Sequence, residues 1–200
     1  MEIGATKAVQ DRLKTTKIEE SKGASLVFCW DTHLTKIKGR NVLFIVNASN
    51  RYTIAMTDIE PRNWNYYAMY IIRVIHGMMQ EMGYSEEQIE QYFKMSGDTT
   101  ITKTHGRKSV GGINRMVMDA QYFGKKLEKE AKYQWELSEY LNRDICQPEG
   151  FDAYGYPSEL FKLDMERLGI ISKRKPAKII GFTQYLSLIH ISEPTRPEPI

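Results

Sequence analysis

Cysteine is scarce in this chain of 200 residues, which contains only Cys29 and Cys146. Two cysteines are too few for the disulfide framework of a small secreted protein. Cys29 lies within the apolar run SLVFCW, where a buried, neutral thiol is the usual state. The sequence therefore predicts a protein of a reducing, cytoplasmic compartment.

Long hydrophobic runs and a strong excess of one charge are also missing. The opening residues, MEIGATKAVQDRLKTTK, lack the apolar core of a signal peptide, and no apolar stretch approaches the roughly 20 residues that cross a bilayer. We therefore expect neither export nor a membrane partner. The formal net charge is +3, from 28 Lys and Arg against 25 Asp and Glu. This small excess permits nucleic acid as a partner but does not argue for it.

The composition that is present is that of a globular protein. Hydrophobic residues make up 42% of the chain, charged residues 26% and aromatic residues 11%. These values indicate one folded domain with a small C-terminal extension. We expect a single α+β domain over residues 1–145 and a loop and helix extension over residues 146–185.

The last residues, LSLIHISEPTRPEPI, change composition abruptly and follow no helical or strand period. Residues 186–196 resemble the translation of a transposase mosaic end with its sequencing adaptor. We therefore expect residues 186–200 to be a non-native tail on a gene truncated near Tyr185. Before this tail, residues 173–178 (KRKPAK) have the basic, proline-broken composition of a linker.

The first half of the chain has the pattern of β-strands. Four stretches rich in apolar and β-branched residues are separated by connectors such as KGR and SNR, whose glycine and asparagine favour hairpin turns. The predicted strands are residues 24–30, 33–38, 41–48 and 52–57. Together they indicate an antiparallel β-meander of three to four strands.

The period of the apolar residues changes at Pro61, which suits the first turn of a helix. Spacings of three and four predict a helix that ends before Gly83, and Ser85 with Gln88 forms a capping box for the next helix. The predicted elements are helices at 61–82, 85–95, 109–141 and 158–168, with a short strand at 99–102. Strands first and helices later indicate an α+β fold in which the meander is packed on one face by three or more helices.

The segment 102–115, TKTHGRKSVGGINR, concentrates polar and basic groups before an apolar-periodic stretch. Ser109 is a candidate N-cap, and the glycines after it would let an anion approach the first-turn N–H groups. A P-loop is excluded because Ile101 stands where its first glycine is required. The candidate contacts for a phosphate or a nucleic-acid backbone are Lys103, Arg107, Lys108, Ser109, Gly111, Gly112 and Arg115. The alternative is that these groups only cap the helix and face water.

Residues with catalytic or metal-binding chemistry lack the spacing of known motifs. His33, His76 and His105 form neither an HExxH pattern nor a zinc-finger spacing, so the sequence predicts no metal site and no cofactor. Ser109 is not in a G-x-S-x-G turn that would expose a nucleophile beside His105. No catalytic residue can be assigned, and the sequence favours a protein that is not an enzyme.

Three motifs resemble those of a bacterial domain family of unknown function, whose members contain W-x-x-N-L, T-R-Y and T-K-T-x-x-R-S-x-x-G-x-M-N in that order. The resemblance covers roughly residues 3–145, and the last motif is its most specific part. The matching residues are Trp30, Arg51, Tyr52, Thr102, Lys103, Thr104, Arg107, Gly111 and Asn114. The departures are His33, Asn50, Lys108 and Ile113, where the family has Asn, Thr, Ser and Met. The resemblance implies no activity, although some members resemble parts of mobile elements.

The sequence therefore favours an accessory or binding module that contacts nucleic acid or a phosphate-bearing ligand through residues 102–115. One alternative is a metal-dependent nuclease or nucleotidyl-processing enzyme that uses His105. A second alternative is a protein–protein interaction module.

Overall fold

The computed structural model of the chain describes residues 1–14 and 18–172. Within these ranges, five strands form one mixed sheet: β1 (Glu2–Ala5), β2 (Cys29–Ile37), β3 (Arg40–Asn47), β4 (Thr53–Thr57) and β5 (Thr100–Thr102). The strand order is β4-β3-β2-β1-β5. The predicted linker at 173–178 and the predicted tail at 186–200 lie outside the described residues.

Strands β2, β3 and β4 form the antiparallel meander that the sequence predicts. The turn between β2 and β3 consists of Lys38 and Gly39, both with positive φ (49° and 81°), as in a two-residue type I′ hairpin. The predicted strands at 24–30 and 33–38 are in fact one strand, β2. It is preceded by a short 3₁₀ turn at Leu26–Phe28.

The sheet is not purely antiparallel, because β1 pairs in parallel with both β2 and β5. Gly4 of β1 lies opposite Asp31 on one side and Thr102 on the other. The sequence predicts β5 but not β1, which has four residues and is too short for a recognisable alternation. The edge beyond β5 continues in a parallel bridge between Thr102 and Glu19.

The helices in the described residues are α1 (Lys7–Leu13), α2 (Pro61–Asn65), α3 (Tyr67–Glu81), α4 (Glu86–Ser96), α5 (Gly106–Gln121), α6 (Trp135–Asn142) and α7 (Pro157–Arg167). The predicted first helix is interrupted at Tyr66, and the predicted third helix ends at Gln121 and does not continue into α6. The capping box is present, since Ser85 N donates to Gln88 Oε1 at 2.9 Å. None of these helices is long and apolar enough to cross a membrane.

Helices cover both faces of the sheet, so the prediction of one covered face is wrong. Side chains alternate along a strand, and in β3 Leu43 and Ile45 join the larger apolar core with α3, α4 and α7. Phe44 and its alternate neighbours pack instead against α5 and α6. Phe161 of α7 is fully buried in the larger core. The domain boundary near residue 145 stays a prediction.

The outer edge of β4 is covered by side chains of α6. Asn142 Oδ1 accepts a hydrogen bond from Thr53 N, and Asn142 Nδ2 donates to Thr53 O, each at 2.8 Å. Ser138 Oγ accepts from Ala55 N at 3.0 Å. These bonds satisfy the main-chain groups that an edge strand otherwise leaves unpaired.

Candidate functional site

Four polar side chains that bond to one another are buried where β1 and β2 meet the start of α5. Asp31 is 0% exposed, Glu2 4%, His105 7% and Ser109 8%. Glu2 and Asp31 come from neighbouring strands, and His105 directly precedes α5. We call Glu2, Asp31, His105 and Ser109 the polar centre.

The ring of His105 bridges the two carboxylates of the polar centre. Its Nδ1 lies 2.7 Å from Asp31 Oδ1, and its Nε2 lies 2.9 Å from Glu2 Oε2. Carboxylates only accept hydrogen bonds, so a ring that bonds both carries a proton on each nitrogen and is an imidazolium. His105 is thus a buried cation between two buried anions.

Backbone and hydroxyl donors complete the coordination of both carboxylates. The main-chain N–H of His105 donates to both oxygens of Asp31 at 3.2 Å, and Ser109 Oγ donates to Asp31 Oδ2. Glu2 accepts from Ser21 Oγ at 2.6 Å and from Lys22 N at 2.8 Å. A buried ion pair is tolerated when its remaining hydrogen-bonding capacity is satisfied in this way.

The environment of the polar centre shifts the pKa of two of its groups. Burial alone would lower the pKa of His105, but hydrogen bonding to Asp31 and the proximity of Cys29 outweigh burial and raise it to about 10. Burial opposes the charge of Glu2 as well. Hydrogen bonds from Ser21, His105 and Lys22 N nevertheless hold the pKa of Glu2 below its ordinary value.

The raised pKa of His105 predicts how the stability of the protein depends on pH. The folded state keeps the proton on His105 that the unfolded state loses near pH 6.5, so its contribution to the free energy of unfolding is complete below pH 6.5. This contribution is lost as the pH rises toward about 10. We expect NMR titration to show the His105 ring protonated well above pH 7. A ring that titrates near pH 6.5 would contradict the bridging arrangement.

His33 provides the internal comparison for that titration. Its Nδ1 lies 3.2 Å from Thr6 Oγ1, and burial lowers its pKa below the ordinary value. We therefore expect the His33 ring to lose its proton first, at a pH below 6.5. His76 contacts Glu86 at 3.2 Å, so His33 and His76 each have a partner outside the polar centre.

Position 4 must be glycine because β1 lies very close to Asp31 and His105 of the polar centre. A Cβ atom on Gly4 would overlap Asp31 Oδ1 and would lie 3.0 Å from Asp31 Cγ and 3.1 Å from His105 Nδ1. Only glycine leaves room for the Asp31 carboxylate at this position. Gly4 therefore belongs to the site although it has no side chain.

Cys29 lies beside the polar centre and is fully buried. Its thiol is 3.4 Å from Ser25 O, at the distance of a weak hydrogen bond. One potential ligand atom from each of Glu2, Cys29 and His105 lies within 4.8 Å of the other two. The three side chains offer oxygen, sulfur and nitrogen, which are the donors of protein-bound transition metals.

Of the predicted contact residues, Ser109 belongs to the polar centre, whereas the basic residues lie on the surface. Helix α5 begins at Gly106 with His105 before it, so the prediction of Ser109 as N-cap is wrong. Asp31 accepts a hydrogen bond from the N–H of His105, the residue before the helix, and Ser109 points inward to the same carboxylate. Gly111 and Gly112 follow the first turn and do not flank its N–H groups.

The basic candidates lie on the surface and have different partners. Lys103 pairs with Glu20, and Arg115 Nε lies 3.2 Å from Asp119 Oδ1. Lys108 Nζ donates to the carbonyl oxygen of Pro148 at 3.2 Å. These residues do not converge with His105, which is buried at the start of the helix.

Several motif residues serve the packing of the fold. Trp30 Nε1 donates to Tyr92 Oη at 2.9 Å, and the Tyr52 ring lies 5.4 Å from that of Phe161. Arg51 lies against Gly112, where a Cβ would come within 3.3 Å of the Arg51 side chain, and Arg51 Nη2 donates to Gly112 O. The absence of a side chain at Gly112 therefore lets the Arg51 side chain pack closely against α5.

The sequence interpretation missed Glu2, Gly4 and Asp31. Asp31 directly follows the apolar run that ends in Trp30, and Glu2 precedes an apolar residue of a very short strand. A charged residue inside a buried strand was the available signal, because such residues are rarely buried without a partner.

Comparison with known proteins gives one result. No curated protein and no solved structure matches the chain significantly. Residues 2–160 match a family described as Domain of unknown function (DUF6933), and this range contains the sheet, the polar centre and α5. The match covers most of the 200 residues, so the chain belongs to this family of domains of unknown function.

Proposed function

We propose that this domain is a binding module that holds the phosphate backbone of nucleic acid on the outer face of α5. We define the outer face of α5 as Arg107, Lys108, Gly111, Asn114 and Arg115, all of which are exposed. Spacings of three and four residues place them along one side of the helix. This row of exposed cations and hydrogen-bonding groups is the observation that carries the proposal.

The cations nearest the start of α5, Arg107 and Lys108, are exposed, although Lys108 Nζ also donates to the carbonyl oxygen of Pro148 at 3.2 Å. Within residues 1–14 and 18–172, neither Arg107 nor Lys108 forms an ion pair with a carboxylate. Lys103 and Arg115 have carboxylate partners, but exposed pairs of this kind contribute little to stability and exchange readily. A phosphate could therefore compete for them.

The shape of the helix also suits an extended ligand. Gly111 is exposed, and a Cβ there would meet no atom within 4 Å, so a nucleic-acid backbone could approach the helix closely at this point. Met118 and Tyr122 follow on the same side and are 58% and 79% exposed. An exposed tyrosine offers a surface on which a base can stack.

The phosphate contact would be made by side chains and not by a cradle of helix N–H groups. Asp31 already accepts the hydrogen bond of His105 N at the start of α5. The positive end of the helix dipole still favours an anion near Arg107 and Lys108, although Asp31 offsets part of that field. The proposal therefore predicts a binding mode that depends on charge and on salt concentration.

A groove of about 690 Å³ beside the outer face is less suited to phosphate. It is lined by aromatic residues, including Trp135 and Tyr140, and by three cations. Each of these cations pairs with a carboxylate: Arg115 with Asp119, Lys125 with Glu136 and Arg143 with Glu139. The groove carries no excess of positive charge, which is why the proposal centres on Arg107 and Lys108.

The alternative function of a nuclease using His105 has weaker support. Both ring nitrogens of His105 are bonded to carboxylates, and the residue is 7% exposed. A general acid or base must reach the proton that it transfers, directly or through one water. A protein–protein interaction module remains the other alternative, and its support is the exposure of Met118 and Tyr122.

Fluorescence anisotropy with labelled single-stranded and duplex oligonucleotides tests the proposal. We expect the double variant Arg107→Ala/Lys108→Ala to bind about tenfold more weakly than the wild type. The slope of log affinity against log salt concentration should fall by about 2, because two phosphate contacts are removed. Both side chains are exposed, so the fold should be retained.

The matched control is Arg73→Ala/Lys94→Ala. It removes the same two residue types from exposed positions on α3 and α4, which pack against the opposite face of the sheet. We expect its affinity to equal that of the wild type. No binding by the wild type, or equal losses in the two double variants, would rule out the outer face of α5 as the contact.

A further inference from the structure

Glu2, Cys29 and His105 come together from three separate segments of the chain. They belong to β1, to the first position of β2 and to the junction before α5. A carboxylate oxygen, a sulfur and an imidazole nitrogen lie within 4.8 Å of one another, and all three residues are buried. We propose that these three side chains form a site for a divalent metal ion, with Zn²⁺ as the ion that the donors fit best. This site goes beyond the proposed binding function.

The distances are close to those of a bound ion. Ligand bonds of about 2.0–2.3 Å in a tetrahedral arrangement place neighbouring donor atoms about 3.3–3.8 Å apart. His105 Nε2 and Glu2 Oε2 are now 2.9 Å apart, and the Cys29 sulfur lies within 4.8 Å of a ring nitrogen of His105 and of a carboxylate oxygen of Glu2. Side-chain adjustments of about 1 Å would therefore bring the three donors to metal-binding separations.

Hydrogen bonds from neighbouring groups orient His105 and Glu2 as such bonds orient the ligands of known metal sites. Metal-binding histidines commonly donate their other ring N–H to a carboxylate. His105 Nδ1 has this contact with Asp31 at 2.7 Å, which leaves Nε2 directed toward Glu2. Glu2 is fixed in turn by Ser21 Oγ and Lys22 N.

The charge of the buried cluster is the same with and without the metal. The metal-free cluster has one imidazolium, two carboxylates and a neutral thiol, which give a net charge of −1. A divalent ion with a neutral imidazole, a thiolate and the same two carboxylates also gives −1. The ion replaces two protons, so binding does not change the net charge of the buried cluster.

The donor set identifies the class of metal. A thiolate and an imidazole select borderline or soft ions over Mg²⁺ and Ca²⁺, which prefer oxygen ligands. Three protein ligands leave a fourth position of Zn²⁺ for another donor. In this fold the ion would join β1, β2 and the start of α5, and we infer a role in holding these segments together.

Cobalt substitution in the 200-residue chain tests the site directly. Co²⁺ bound by a thiolate shows an intense charge-transfer absorption that Co²⁺ bound by oxygen and nitrogen alone does not. We expect the chelator-treated wild type to develop this absorption with one Co²⁺ per chain and to lose it when Zn²⁺ is added. The melting temperature should rise by several degrees in Zn²⁺ relative to chelator.

Cys29→Ser is the test variant, and Cys146→Ser is the matched control because Cys146 is the other buried free cysteine. Cys146 packs with Phe151 and Leu160, in a separate cluster. We expect the absorption to disappear in Cys29→Ser and to persist in Cys146→Ser. A folded wild type without the absorption, or with an absorption that depends on Cys146, would overturn the proposal. Because the wild type is itself measured, a variant that fails to fold does not affect this outcome.

Discussion

Gly4→Ala is expected to destabilise the domain by about 3 kcal/mol or more, since overpacking a core and disrupting a buried ion pair are each costly. The added methyl would overlap Asp31 Oδ1 and crowd His105 Nδ1. Strand β1 cannot move aside, because it is paired with β2 on one side and β5 on the other. Asp31 would have to leave its bonds with His105 and Ser109. Urea unfolding monitored by circular dichroism measures this loss.

Gly77→Ala is the matched control for this prediction. Gly77 lies within α3, and a Cβ there would meet no atom within 4 Å. Alanine is the better helix former, so we expect Gly77→Ala to stabilise the protein by about 0.5–1 kcal/mol. The opposite signs of the two substitutions would separate the steric effect at Gly4 from the general effect of replacing glycine. An unchanged stability of Gly4→Ala would show that Asp31 does not occupy the position described.

Phe161→Ala is the second substitution with a large expected effect, a loss of about 3–5 kcal/mol, as found when a large aromatic side chain is deleted from a core. Phe161 is fully buried on α7, with ring centroids of Trp30, Tyr52 and Tyr84 at 6.1, 5.4 and 6.1 Å. The substitution removes contacts with Trp30 of β2 and with Tyr92 of α4. Thermal or urea unfolding measures the change.

The result also tests whether α7 folds together with the sheet. If residues beyond 145 were a separate extension, Phe161→Ala would leave the main unfolding transition unchanged. We expect instead a single transition that shifts as a whole. Leu163→Ala is the control on the same helix, because Leu163 is 43% exposed. It should change the free energy of unfolding by no more than about 0.5 kcal/mol.

Features determined by neighbouring residues could be predicted from the sequence. The capping box of Ser85 and Gln88 spans four residues, and the hairpin turn at Lys38 and Gly39 depends on local backbone preferences. The antiparallel meander follows from these turns and from alternating side chains. The α+β class and the membership of a family of unknown function were predicted for the same reason, since both depend on local patterns.

Features determined by distant residues could not be predicted in this way. Glu2 and His105 are separated by 103 positions, and their contact requires that β1 insert between β2 and β5. The sequence marked His105 as a possible metal-binding or catalytic residue but did not indicate its carboxylate partners. The start of α5 was misplaced for a related reason, because the N–H of His105 before the helix bonds to Asp31, a residue 74 positions away.

The side-chain amide of Asn142 presents to β4 an acceptor and a donor in the positions that a neighbouring strand would supply. The main-chain N–H and C=O of Thr53 are therefore already bonded to α6 and cannot pair with an added peptide strand. Recruitment of partners by strand addition, and the edge-to-edge aggregation that follows the same route, are both blocked along this part of β4.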